Sequence, residues 1–119
     1  MIKKTILTLA LLTIGQNAHA ETFTEKGARE QALLEQANGK MLECVLPKVV
    51  ELGKGNSEPV DNVADVALEE CAVPVAGVRA VLLYVIKHPR AYEVNAQYVG
   101  QARQSAMAEL MKARATKTN

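Results

Sequence analysis

The chain has 119 residues, with 14 Lys and Arg against 13 Asp and Glu, two cysteines, three tyrosines, one phenylalanine and no tryptophan. A formal charge of +1 argues against a general nucleic-acid binder, and so few aromatics leave little with which to stack bases or sugars. The length allows one small domain and no more.

The first element reads as a leader. In MIKKTILTLALLTIGQNAHA, Lys3 and Lys4 form a positive n-region, residues 5–14 a short apolar run, and Ala18-His19-Ala20 a small-x-small cleavage site. About ten apolar residues are too few to cross a bilayer, which takes roughly 20. The pattern predicts a cleaved bacterial export signal over 1–20, a mature chain beginning at Glu21, and a periplasmic location. Loss of Lys3 and Lys4 leaves 12 bases against 13 acids over 21–119, a net charge of −1. Those residues are expected to form a single helical domain.

A first helix is predicted over 22–52, opened by a capping box of Thr22 and Glu25. Leu34, Met41, Val45, Val49 and Leu52 recur close to helical spacing. Pro47 interrupts this pattern and removes a backbone donor, so a kink or break is expected near Glu43. Residues 53–59, GKGNSEP, gather Gly, Asn, Ser and Pro and read as a loop.

A second helix follows Pro59. Val60, Val63, Ala64, Ala67, Leu68 and Cys71 lie at i, i+3, i+4, i+7, i+8 and i+11, one continuous stripe. Cys71 therefore points toward the core. Cys44 stands about as far before the 53–59 loop as Cys71 stands after it, which suits two antiparallel helices joined by a disulfide. The alternatives have less support. Zinc would need two more ligands, and 21–119 holds one histidine, His88. A redox motif would space its cysteines by two residues, whereas 26 separate these. An exported protein meets oxidising conditions, where paired thiols persist as disulfides. Closing a loop of this size is worth about 3.5 kcal/mol.

A third helix, starting near Pro74, carries AVPVAGVRAVLLYVIKH. It is apolar nearly all round and too short to span a membrane. Val75, Val78, Val81, Leu82, Val85 and Ile86 exceed what one stripe needs, so part of this helix should seek cover, best supplied by a second copy in a homodimer. A fourth helix is expected over 91–113, with Tyr92, Val99, Ala102, Ala106 and Leu110 facing inward and a frayed tail over 113–119. The fold class is all-α: a small bundle of three to five helices with a disulfide-stapled hairpin.

Charge divides unevenly along this chain. Residues 21–72 hold 11 acids and 5 bases, and residues 73–119 hold 2 acids and 7 bases. Asp61, Asp65 and Glu69 recur at i, i+4, i+8 on one helix face; Arg79, Lys87, Arg90 and Arg103 lie in the basic half. Either the halves neutralise each other, or Asp61, Asp65, Glu69, Arg79, Lys87 and Arg90 form a surface that recognises a protein partner. No nucleophile elbow, zinc-protease motif or phosphate loop occurs, and no cofactor or metal is implied. His88, before Pro89, suits a helix C-terminus. The reading is a non-enzyme that works by protein–protein binding. Its role would be that of an inhibitor or immunity protein, or of an accessory to secretion or conjugation. The other reading is a periplasmic stress chaperone that exposes client-binding surface on loosening in acid.

Overall fold

The computed structural model describes residues 18–86 and 88–117, with side chains over 24–86 and 88–116. Lys3, Lys4 and the apolar run of the predicted leader lie outside the described residues, as do Lys87 and the last two residues. The chain divides into two compact units, Met1–Ala32 and Leu33–Asn119. Among the described residues four helices follow in order: α1 (Ala18–Gly53), α2 (Val60–Glu70), α3 (Ala72–Val85) and α4 (Arg90–Lys117). Among the described residues there is no strand, and no helix is long and apolar enough to cross a membrane.

The all-α core lies in the second unit. Helix α1 contributes Met41, Val45 and Val49, spaced one turn apart; α2 contributes Val63, Ala64 and Ala67. Val78 and Leu82 come from α3, and Ala91, Ala102, Ala106 and Leu110 from α4. All of these are at most 5% exposed, and among the described residues no polar or charged one is buried with them. Leu34, Leu52, Val60 and Leu68 pack half-buried around this set.

The staple joins Cys44 on α1 to Cys71, with Cα atoms 5.9 Å apart. Cys71 ends α2 and immediately precedes α3. Its N–H donates to the Ala67 carbonyl, and its own carbonyl accepts from the Val75 N–H, at 3.0 Å each. One residue thus closes one helix and opens the next. Pro74 falls in the first turn of α3, where a missing N–H costs nothing.

Three expectations need correction. Helix α1 passes through Thr22, so the capping box does not open it; the Ala18–Glu21 stretch is itself rich in helix formers. The expected break near Glu43 is absent, and α1 runs through Pro47. Glu43 and Pro47 both face water, so the carbonyl that Pro47 leaves unpaired can be hydrated. Buried Val45 and Val49, with the bridged Cys44, anchor the helix on both sides of the proline. On α4, Tyr92 is 50% exposed and Ala91 is fully buried in its place. The inward phase of α4 falls one position earlier than expected at this end. Val99 is half-buried, while Ala102, Ala106 and Leu110 point inward.

The loop between α1 and α2 covers residues 54–59, one residue shorter than expected because Gly53 is the last of α1, and this end of α1 is tied to α4. The Asn56 amide donates to the Leu52 carbonyl (2.9 Å), and its oxygen accepts from the Glu58 N–H (3.1 Å). Arg114 of α4 donates through Nε to the Gly53 carbonyl at 3.0 Å and through Nη2 to Asn56 at 3.3 Å. The last carbonyls of α1, which have no partner within the helix, are thereby capped. The C-terminal tail is helical as far as Lys117, and the Thr116 hydroxyl donates to the Ala113 carbonyl at 2.9 Å.

Candidate functional site

Asp61, Asp65 and Glu69 all lie exposed along α2, as one-turn spacing requires. They do not act as one cluster. Asp61 sits in the first turn and accepts from the Asn62 N–H at 3.0 Å. Asp65 is drawn across to α4, where Arg103 Nε donates to its Oδ1 at 2.7 Å. That bond, followed by the guanidinium's charge, holds the Asp65 carboxyl below its usual range and raises the guanidinium in return. A second link between charges joins Lys48 to Glu70 at 3.8 Å. Lys48 and Glu70 both belong to the acidic half, so of the two pairs it is Asp65–Arg103 that joins the acidic half to the basic one.

Glu69 and Arg79 are brought to one groove between α2, α3 and α4, a space of about 380 Å³ with Leu68, Ala72, Val75 and Ala76 as its apolar walls. Asn95 also lines it, and the Asn95 Oδ1 is buried with no hydrogen-bond donor among the described residues. Arg90 opens α4, exposed. Lys87 lies outside the described residues. His88 sits in the turn before α4, exposed, with its ring 5.1 Å from that of Tyr92. Its aromatic contact is with the helix that follows rather than the one it was expected to cap. Among the described residues no group of three or more His, Cys, Asp or Glu is placed to hold a metal.

The surface that stands out is one the charge pattern does not reveal. On α3, Val78 and Leu82 face the core, and Val75, Val81, Val85 and Ile86 are half-buried. Successive residues turn by about 100°, so Val73, Gly77, Ala80 and Tyr84 share the opposite face. Val73 is 85% exposed and Tyr84 76%. The only polar group on that face is the Tyr84 hydroxyl. Beside it runs a groove of about 230 Å³ between α1 and α3, lined by Leu33, Gln36, Ala37, Lys40, Pro74, Gly77 and Val81. Leu33, itself 43% exposed, extends the apolar surface onto α1.

The geometry defines a class: an all-α bundle whose first two helices are covalently joined and whose third turns an apolar face outward. No protein-family model matches the chain, and searches of curated proteins and of solved structures return no match.

Proposed function

We propose that this is an exported, periplasmic protein that works by protein–protein binding, as an inhibitor or immunity protein or as an accessory to secretion or conjugation, and that it carries out no catalysis itself. The observation that carries the binding reading is the outer face of α3. A solvated helix face is normally polar, and leaving Val73 in water forgoes up to roughly 1.5–3 kcal/mol of burial, with the Tyr84 ring exposed beside it. Such a face is explained when something covers it.

Support for export comes from the leader pattern over 1–20 and from the Cys44–Cys71 bridge, which suits an oxidising compartment. Protein recovered from the periplasm should have the mass of residues 21–119 less two hydrogens. A retained leader would count against export. For binding, the purified protein is compared with its Tyr84→Glu variant in self-association and in capture from periplasmic extract. The variant should melt with the parent, because the side chain lies on the surface, and should lose at least one association. Identical behaviour in both assays rejects the α3 face as a binding surface.

A further inference from the structure

The exposed pattern on α3 reads the same in both directions. Val73 and Tyr84 are centred on the point between Val78 and Arg79, and so are Gly77 and Ala80. If two α3 helices are laid face to face and antiparallel about that point, Val73 of each meets Tyr84 of the other, and Gly77 meets Ala80. Large groups then cover each other at the two ends, while the smallest residues coincide at the crossing, where the backbones must approach most closely. A Cβ built at Gly77 meets nothing within 4 Å in the single chain. Nothing inside the protomer therefore uses the space that this glycine leaves.

Charge selects the antiparallel sense. Exposed Glu69 stands at the end of α2 beside the N-terminal end of α3, next to Glu70, which Lys48 engages, and exposed Arg90 opens α4 just beyond the C-terminal end. A parallel pair would set acid against acid and base against base. The antiparallel pair sets each acidic end beside a basic one, and it also places the positive pole of each helix dipole near the negative pole of the other. The exposed apolar surface is concentrated on this face, with Val73 85%, Tyr84 76% and Leu33 43% exposed.

From the self-complementary face and the opposed charges we infer that the outer face of α3 is covered by a second copy of this chain, packed antiparallel about a two-fold axis between Gly77 and Ala80. This rests on the binding role of that face and names its occupant.

Sedimentation equilibrium from about 1 to 100 micromolar tests it with four variants. The parent should be a dimer in the upper part of the range. Val73→Lys and Tyr84→Glu should each weaken the dimer at least tenfold, since each buries a charge against an apolar partner. Combined, they should restore it, because Lys at 73 then faces Glu at 84 of the other copy. Within one chain those positions lie three turns apart, about 16 Å, too far to pair. Gly77→Leu should melt no lower than the parent as a single chain, yet fail to dimerise. A parent with the mass of one chain at 100 micromolar overturns the inference. Retained capture of another protein, lost in Tyr84→Glu, would then leave the binding role standing with a different occupant. A dimer unaffected by the single variants overturns the α3 contact, and a double variant that stays monomeric overturns the antiparallel register.

Discussion

Gly53 sits where three helices converge. It is the last residue of α1, and a Cβ there would lie 2.6 Å from Leu110 Cδ2 of α4 and 2.9 Å from Val63 Cγ1 of α2. Leu110 is fully buried and cannot swing aside, and a valine has little rotamer freedom. Alanine would gain up to about 1 kcal/mol in helix propensity, whereas overpacking costs about 1–3 kcal/mol. Gly53→Ala should therefore lower stability in a urea titration, by about 1 kcal/mol after the two effects offset. The Asp65–Arg103 pair gives a second test at this scale. The folded carboxyl lies below the 3.8 of an ordinary aspartate, so its contribution is present above that value and fades as pH falls through the folded one. The melting temperature of Asp65→Asn should fall slightly below the parent's at neutral pH and converge with it in strong acid. Added salt should narrow the gap at neutral pH, because both groups are open to solvent. The aligned carboxylates were legible in the sequence. That Arg103, rather than a partner, would claim the middle one was not, because the contact joins positions 38 apart.

Among the elements, α2 was the most legible. It spans only 11 residues, and its polar positions fix the phase of its apolar stripe, so Val63, Ala64 and Ala67 are buried as the spacing requires. Helix α3 gave no such phase. Arg79 is its single charge, so apolar periodicity could show a surplus but not which side would remain bare. The residues left in water, Val73 and Tyr84, are decided by where α1, α2 and α4 stand, and that is tertiary information. Tyr92 was misplaced for a related reason: Ala91 and Tyr92 both fit an inward pattern, and the seating of α4 on its neighbours turned Ala91 in. The Arg114 link was also hidden, since nothing local marks an arginine that will cap a helix 61 residues away. Arg114→Ala removes donors to Gly53 and Asn56 and should cost about 1.5–3 kcal/mol, the range for hydrogen bonds to a charged group. Hydrogen exchange should show the last turn of α1 opening in that variant while α2 and α3 keep their protection.

At the scale of the molecule, the core is continuous but light. Among the described residues, five of the thirteen buried hydrophobic ones are alanines, which bury little area each. A domain of this size with such a core leans on its covalent link. Cys44→Ala with Cys71→Ala should lower stability by about 2–5 kcal/mol in denaturant while leaving the far-ultraviolet signal helical. Equal midpoints for the parent and the double variant would show that the bundle holds without the link. The staple itself was legible because compartment, spacing and stripe agreed on it independently. The unbroken passage of α1 through Pro47 was not, since the residues that anchor the helix on both sides act through the fold.

The position of that bridge also has a mechanical consequence. Cys44 lies on α1 and Cys71 at the corner from which α3 departs, so tension on the chain ends would travel from one to the other through sulfur. The loop and all of α2 hang outside the load path. Of the chain between the handles, the 26 residues from 45 to 70 would add nothing to the extension. An oxidised molecule pulled to full length would stop about 90 Å short of a reduced one. Helix α2 would unfold under such a load by losing its neighbours, without itself being stretched.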